Sequence, residues 1–103
     1  MAKLTEAELS EALAGLPGWE REGATIRRMF SFSDYPEAIA FVVRLGFAAE
    51  SADHHPDLLV SYKRVTVTYT THSDGGLTRK DVDAAATADR LARRGTLKGD
   101  SPL

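Results

Sequence analysis

Three histidines are the residues of this chain best suited to proton transfer near neutral pH. His54 and His55 are adjacent in the stretch ESADHHPDLLVSY, and the third is His72. The unperturbed pKa of histidine, about 6.5, lets its side chain donate or accept a proton at physiological pH. Around one pocket, one imidazole could protonate a leaving hydroxyl while another removes a proton. The pattern predicts acid–base chemistry of the dehydration type if the fold brings the three rings together.

Carboxylates stand where they could orient or charge these histidines. Glu50 and Asp53 precede the histidine pair, and Asp81 follows His72. Two of them also have structural interpretations, Glu50 as a solvated carboxylate at a helix end and Asp81 as the capping acid of the next helix. The structural and the functional interpretation of Asp81 are compatible with each other.

The histidine pair has other interpretations when it is taken alone. Adjacent histidines are as typical of a structural position, in a surface loop or as a cap on the C-terminus of the preceding helix, as of a functional site. A zinc site needs three converging ligands and outer hydrogen bonds that hold them. Adjacent side chains of an extended segment point in different directions, so we expect no metal. Trp19 and Tyr62 are more typical of aromatic residues in a core or at its rim than of substrate stackers.

Length, composition and charge exclude several classes of protein. A chain of 103 residues is long enough for one domain, and we expect residues 1–103 to form it. The hydrophobic fraction of 43% and the charged fraction of 27% are typical of globular proteins. The net charge of -2 and the scattered basic residues argue against direct binding of nucleic acid.

Cysteine usage and the absence of long apolar runs predict a cytoplasmic protein. The chain has no cysteine, which excludes disulfides and cysteine zinc sites and favours an intracellular setting. The N-terminal sequence MAKLTEAELSEAL lacks the apolar core of a signal peptide. No stretch approaches the roughly 20 apolar residues of a membrane span, so we expect no association with a membrane.

Capping signals and periodicity predict the elements of the first half of the chain. Thr5 and Glu8 form a capping-box pattern, which predicts a helix from Glu6 to Ala14 that the sequence GLPGW ends. The segment EREGATIRRMFSF predicts a hairpin with its turn at Glu22-Gly23.

The segment after the hairpin predicts a long central helix. Asp34 is its cap, and Pro36 lies in its first turn, where the missing N–H does no harm. We expect one apolar stripe to face the sheet, formed by Ile39, Val42, Val43, Gly46 and Phe47.

The second half predicts another hairpin and a third helix. Pro56 forces His55 out of helical geometry, and the runs DLLVSY and RVTVTYTT follow as strands around Lys63-Arg64. After the loop HSDGGLTRKD, with Thr78 and Asp81 at cap spacing, the segment VDAAATADRLARRG predicts a helix with Gly95 as C-cap. We expect the tail TLKGDSPL to be loose.

This order of elements predicts an α+β fold, α-β-β-α-β-β-α, with a four-stranded antiparallel sheet and helices packed on one face. Such a sheet could bring the end of the central helix, with His54 and His55, to the same rim as His72 at the end of the last strand. Loops on a rigid scaffold are common places for catalytic residues. An exposed edge strand would favour pairing with a second copy.

The combined spacing of these residues resembles a known signature. The spacing is similar to that of the pterin-4a-carbinolamine dehydratases, also known as the dimerization cofactor family. Three residues separate Glu50 from His54-His55-Pro56, five separate that motif from Tyr62, nine separate Tyr62 from His72, and eight separate His72 from Asp81. The segments GLPGW, FSDYPEA and GLTRKD are also similar to those of the family. The resemblance extends from about Leu4 to Leu91.

The resemblance implies an enzyme that dehydrates 4a-hydroxytetrahydrobiopterin to quinonoid dihydropterin and water, without metal or cofactor. This step recycles the cofactor of the aromatic amino-acid hydroxylases, whose pathway would supply a partner. The implied catalytic residues are His54, His55 and His72. The implied substrate-binding residues are Asp53, His54, His55, Thr70, Thr71, His72 and Ser73. Of the catalytic histidines, we expect His54 and His72 to share the acid and base steps while His55 positions the hydroxyl.

The resemblance also implies roles for residues around the histidines. Glu50 and Asp81 would tune histidine protonation, and backbone groups of Thr71 and His72 would hydrogen-bond the pterin edge. Leu58 is a departure, since some relatives carry tryptophan there, so a ring-stacking role at that position is absent or moved.

Family members form homodimers by joining sheets and some form homotetramers through helices, and in animals the family also acts as a transcription-factor partner. Two alternatives to the dehydratase follow from the same residues. One is a non-catalytic binding protein of the same fold that acts through a protein partner. The other is a metal-dependent hydrolase.

Overall fold

The structure is a computed structural model that describes residues 2–96. The helices are α1 (Glu6–Ala14), α2 (Tyr35–Ala52) and α3 (Arg79–Thr96), and the strands are β1 (Glu20–Glu22), β2 (Thr25–Ser31), β3 (Asp57–Ser61) and β4 (Arg64–Tyr69). A 3₁₀ turn, His72–Asp74, separates β4 from α3. The strands form one antiparallel sheet in the order β1-β2-β4-β3. The predicted α-β-β-α-β-β-α order is confirmed.

Side-chain capping defines the start of α1, as the sequence predicted. The Thr5 hydroxyl accepts from the Glu8 N–H at 3.1 Å, and the Glu8 carboxylate accepts from the Thr5 N–H at 2.8 Å. The hydrogen bond from the Thr5 backbone lowers the pKa of Glu8. The predicted bounds, Glu6 to Ala14, are confirmed.

Both hairpins turn one residue away from the predicted positions. Glu22 pairs with Thr25, which leaves Gly23 and Ala24 in the first turn, and Gly23 has a φ of +60° that favours glycine. Ser61 pairs with Arg64, so the second turn contains Tyr62, at a φ of 54°, and Lys63. The register of the paired strands decides these positions, and the turn residues alone did not reveal it.

Alternation along the strands divides the sheet into a buried and an exposed face. Ile26 and Phe30 of β2 are buried, as are Val65, Val67 and Tyr69 of β4. On the opposite face Met29 is 54% exposed and Leu59 is 66% exposed. The helices therefore cover one face, as predicted, and the core lies between that face and α2 and α3.

The predicted apolar stripe of α2 meets the core only in part: Val42 packs against it, whereas other members of the stripe are exposed. The buried residues of the helix include Ala38, Phe41, Leu45 and Ala49. From the predicted stripe, Val43 is 52% exposed and Phe47 is 75% exposed. Helix α2 carries apolar residues on two faces, and periodicity alone does not distinguish the face that meets the sheet.

A part-buried hydrogen-bond network joins α3 to the first hairpin. Trp19 is buried, and its indole N–H donates to Asp89 Oδ1 at 2.9 Å. The Arg28 guanidinium donates to the same oxygen at 2.9 Å. Trp19 is therefore a core aromatic, as expected, whereas Tyr62 is 68% exposed in its turn.

Helix α3 extends past the predicted C-cap. It continues through Gly95 to Thr96, so the prediction of a cap at Gly95 is wrong. A glycine inside a helix costs only about 1 kcal/mol relative to alanine, which neighbouring helical residues can offset. Apart from Thr96, the tail predicted to be loose lies outside the described residues. Within residues 2–96, no helix is long and apolar enough to cross a membrane.

Candidate active site

The end of α2 places the first two histidines. Asp53 adopts a left-handed conformation, with φ 52° and ψ 44°. The Asp53 N–H donates to the Glu50 carbonyl, and the His54 N–H donates to the Ala49 carbonyl at 3.1 Å. This pair of bonds is a Schellman motif, which ends the helix with backbone groups. The imidazoles of His54 and His55 therefore do not cap the helix, and each contacts a carboxylate instead.

His54 pairs with Asp81 in the interior. The Nε2 atom of His54 lies 2.7 Å from Oδ1 of Asp81. The His54 side chain is 10% exposed and that of Asp81 is 0% exposed. Oδ2 of Asp81 accepts from the Thr71 hydroxyl at 2.7 Å and from the Thr78 N–H at 2.9 Å. Both oxygens of Asp81 are thus hydrogen-bonded, as a buried carboxylate requires.

His55 pairs with Glu50 at the surface. The Nε2 atom of His55 lies 2.8 Å from Oε1 of Glu50. The two side chains are 56% and 81% exposed. Of the three carboxylates singled out in the sequence, Asp81 and Glu50 therefore each contact a different histidine.

The end of β4 and the turn after it bring the third histidine to the same rim. The Thr71 N–H donates to the Gly76 carbonyl, and the Gly76 N–H donates back to the Thr71 carbonyl, each at 3.3 Å. The 3₁₀ turn closes the loop between them and exposes His72. Thr70 is held from the other side, because its hydroxyl donates to the Ala24 carbonyl at 2.6 Å.

The residues predicted to bind substrate line one open cavity of about 370 Å³. Its lining comprises Asp53, His54, His55, Thr70, Thr71, His72, Ser73 and Lys80. All seven residues predicted to bind substrate thus lie around one cavity. An adjoining, more apolar cavity of about 190 Å³ lies between α2 and α3 and shares His54 and Lys80.

The ring of Tyr69 supports the His54 ring. The rings of His54 and Tyr69 stack with centroids 5.8 Å apart and planes 12° apart. Tyr69 is buried, and this burial, with a smaller effect from the charge of Asp81, raises the pKa of Tyr69 well above its usual value. The phenol is therefore neutral throughout the physiological range.

Within residues 2–96, no group of three or more histidine, aspartate or glutamate side chains is arranged to hold a metal ion. His54 and His55 each point to a separate carboxylate instead. The arrangement of these side chains is suited to moving protons between imidazoles and a bound molecule.

Comparisons with known proteins identify the family. The model of the pterin 4 alpha carbinolamine dehydratase family matches residues 2–91. The chain belongs to this family. A curated relative from Roseiflexus sp. (strain RS-1), provisionally named pterin-4-alpha-carbinolamine dehydratase, is 47% identical over 86% of this chain and 96% of its own length. A relative with the same provisional name, from Thermosynechococcus vestitus (strain NIES-2133 / IAM M-273 / BP-1), is 48% identical over 87% of this chain and 95% of its own length.

Two solved structures share the fold. A crystal structure of a transcriptional coactivator/pterin dehydratase from Brucella melitensis superposes with a TM-score of 0.85, at 39% identity, over 87% of this chain and 98% of the other. A pterin dehydratase-like protein identified as a RuBisCO assembly factor of the alpha-carboxysome superposes with a TM-score of 0.62 at 23% identity, over 72% of this chain and 86% of the other. The second likeness concerns the fold alone.

Sequence reasoning missed two residues around this dehydratase-family cavity: Lys80 lines it from the first turn of α3, and Tyr69 stacks on His54. The bond from the Thr78 N–H to the Asp81 carboxylate is the capping contact that the spacing of these two residues predicted. The inward position of Tyr69 follows from the alternation of β4, but its contact with His54 does not. Leu58, the departure from the family pattern, lies opposite Val67 in the sheet and packs against the core rather than lining the cavity.

Proposed function

We propose that this protein dehydrates a pterin-4a-carbinolamine, 4a-hydroxytetrahydrobiopterin, to quinonoid dihydropterin and water. One observation carries the proposal: a single cavity is lined by all three histidines, two of which bond to carboxylates. Membership of a dehydratase family supports it independently.

The reaction requires one proton to be supplied and one to be removed. A proton donated to the hydroxyl on carbon 4a lets the carbon–oxygen bond break with water as the leaving group. Removal of the proton on nitrogen 5 lets a double bond form between carbon 4a and nitrogen 5. The two transfers balance, so no redox partner takes part, and histidines are suited to both at neutral pH.

The histidines divide these tasks in the proposal. His54 and His72 share the acid and base steps, and His55 positions the departing hydroxyl. His54 is held by the buried carboxylate of Asp81, and His72 is exposed on the loop opposite. Glu50 orients His55 from the surface.

The remaining cavity residues hold the pterin ring. Its donors and acceptors meet the side chains of Asp53, Thr70 and Ser73 and the backbone of Thr71 and His72, which together line the cavity. In the cell, the proposed role is recycling of tetrahydrobiopterin in the cytoplasm, with an aromatic amino-acid hydroxylase acting in the same pathway.

The experiment that tests the activity is stopped-flow absorbance of freshly generated 4a-carbinolamine, with and without protein. We expect acceleration by the native protein and loss of most of it in His72→Ala. Lys63→Ala, which alters an exposed turn at the far end of β4, is the control and should keep the native rate. Equal decay with and without folded protein would contradict the proposal and favour a non-catalytic binding protein of the same fold. The metal-dependent hydrolase predicts bound zinc in the purified protein, and metal-free protein with full dehydratase activity would exclude it.

We also propose that the protein is a homodimer or homotetramer. β3 is an edge strand, and the outer face of α2 exposes Val43 and Phe47, so each could be covered by a second copy. Light scattering coupled to size exclusion should give a mass above 11.2 kDa, the mass of one chain. Phe47→Glu should reduce that mass if α2 contributes, whereas Lys63→Glu should not. A native protein that elutes as a monomer would contradict this proposal.

A further inference from the structure

The two oxygens of Asp81 have different partners. Oδ2 accepts from the Thr78 N–H at 2.9 Å and from the Thr71 hydroxyl at 2.7 Å, while Oδ1 lies 2.7 Å from Nε2 of His54. Asp81 and Thr78 are 0% exposed and Thr71 is 4% exposed. Polar groups buried so completely are strongly constrained by their hydrogen bonds, because water cannot replace a lost partner.

The hydrogen bonds of this cluster have a fixed direction. An ionised carboxylate only accepts, so the single hydroxyl hydrogen of Thr71 is directed at Asp81. The Thr71 and Thr78 hydroxyl oxygens lie 2.9 Å apart, and Thr78 must therefore donate to Thr71. The Thr78 oxygen in turn accepts from the Lys80 N–H at 3.2 Å. Each group therefore donates to the next: the Lys80 N–H to Thr78, the Thr78 hydroxyl to Thr71, and the Thr71 hydroxyl to Asp81.

Helix capping explains only part of this cluster. A cap on α3 needs the Thr78 N–H on the Asp81 carboxylate and the Lys80 N–H on the Thr78 oxygen. It does not need the Thr71 hydroxyl, which comes from the end of β4, nor does it need Oδ1 to point at a histidine. Thr71 therefore adds a constraint that orients the carboxylate toward His54.

The orientation of Asp81 determines which nitrogen of His54 carries a hydrogen. With Asp81 ionised, Nε2 must be the protonated nitrogen of the neutral ring. Within residues 2–96, no protein group hydrogen-bonds to Nδ1, and Tyr69 stacks on the ring and fixes its plane. Nδ1 is the nitrogen left to exchange a proton with a molecule in the cavity.

We propose that Thr71 and Thr78 are positioning residues that act on His54 through Asp81. They hold the carboxylate so that His54 keeps its hydrogen on Nε2 and presents Nδ1 to the substrate. The link to turnover rests on the proposed dehydratase function, whereas the effect on the His54 ring does not.

The first test is made on the native protein without substrate. Long-range ¹H–¹⁵N correlation spectra of ¹⁵N-labelled protein distinguish protonated from unprotonated imidazole nitrogens. We raise the pH until the His54 ring is neutral and expect the hydrogen on Nε2. A neutral ring with its hydrogen on Nδ1 would overturn the proposal without any variant.

The second test compares variants at Thr71. Thr71→Val keeps the shape of the side chain and removes its hydroxyl, and Thr71→Ser keeps the hydroxyl. In the valine variant we expect both tautomers of His54 and a kcat about tenfold lower with KM little changed, as for loss of one hydrogen bond to a charged group. The serine variant should restore the Nε2 tautomer and most of kcat. Thr66→Val, on the outer face of β4, is the matched control and should change neither.

The outcomes separate this proposal from the proposed function. An unchanged His54 tautomer together with an unchanged kcat in Thr71→Val would overturn the positioning role. If Thr71→Val does not fold, the test uses Thr71→Ser and Thr78→Ser, each of which keeps both hydroxyls. Loss of the Nε2 tautomer in these folded variants would also overturn the positioning role. Native protein with the Nε2 tautomer but no dehydratase activity would refute the proposed function and support the arrangement of the cluster.

Discussion

Among residues 2–96, two histidine–carboxylate pairs have nearly equal distances and very different surroundings. His54 lies 2.7 Å from Asp81, and His55 lies 2.8 Å from Glu50. The first pair is almost fully buried, whereas the side chains of the second are 56% and 81% exposed. A solvated pair contributes about 0–1 kcal/mol, whereas removing one partner of a buried pair is far more disruptive. Distance alone therefore does not rank the importance of the two carboxylates.

The pairs also differ in what they connect. Glu50 and His55 are five residues apart and join the last turn of α2 to the segment after it. His54 and Asp81 are 27 residues apart and join the end of α2 to the start of α3. The buried pair is therefore part of the tertiary structure, while the exposed pair is local.

The largest expected effect comes from Asp81→Asn. An amide cannot neutralise a protonated imidazole, and its NH₂ group would compete with the donors that now surround Oδ2. We expect dehydration to slow by about 100-fold or more, the usual contribution of a positioned acid–base group. Stopped-flow turnover measures the effect, and circular dichroism checks that the variant is folded. A folded variant with native turnover would show that the buried pair does not matter more than the exposed one.

A second effect, at high pH, is expected for Tyr69, the ring that stacks on His54 of the buried pair. Burial raises the pKa of Tyr69, so the unfolded chain loses the phenolic proton at a lower pH than the folded protein does. The stabilising contribution is complete below the ordinary tyrosine pKa of about 10 and decreases as the pH rises above it.

Urea unfolding of the native protein and Tyr69→Phe at increasing alkaline pH measures this contribution. The phenylalanine variant keeps the ring but has no proton to lose, so the free energy of unfolding of the native protein should fall more steeply with pH. Parallel pH profiles would contradict the buried, neutral state of Tyr69.

A smaller effect is expected for Glu50→Gln, the matched substitution in the exposed pair. Because water and salt screen this pair, we expect turnover to change by no more than about fivefold, which corresponds to the upper range for a surface ion pair. The same stopped-flow assay makes the comparison. A loss equal to that of Asp81→Asn would show that Glu50 is shielded when substrate is bound.

The smallest expected effect is that of salt on the two histidines. The Debye length falls from about 30 Å at 0.01 M to about 3 Å at 1 M ionic strength, so the exposed pair is screened and the buried pair much less. The ratio of native turnover to that of Glu50→Gln should therefore change with salt more than the ratio of native turnover to that of Asp81→Asn. Equal sensitivity would contradict the difference in their surroundings.

Much of the fold was predictable because it depends on short-range signals. The Thr5 capping box and the Asp34 cap identify the starts of two helices, and the alternation of Val65, Val67 and Tyr69 identifies a strand. The errors concern features that depend on packing or pairing: the two hairpin turns, the buried face of α2 and the end of α3.

The sequence by itself determined the order of elements and the set of residues that could do chemistry, because caps, periodicity and motif spacing are local or one-dimensional properties. Only the tertiary structure decided that Asp81 is buried against His54 while Glu50 is solvated beside His55. It also decided that the Thr71 hydroxyl, from the segment after β4, directs its hydrogen bond to Asp81. Burial and hydrogen-bond direction depend on which distant segments pack together, and residue spacing along one chain does not contain that information.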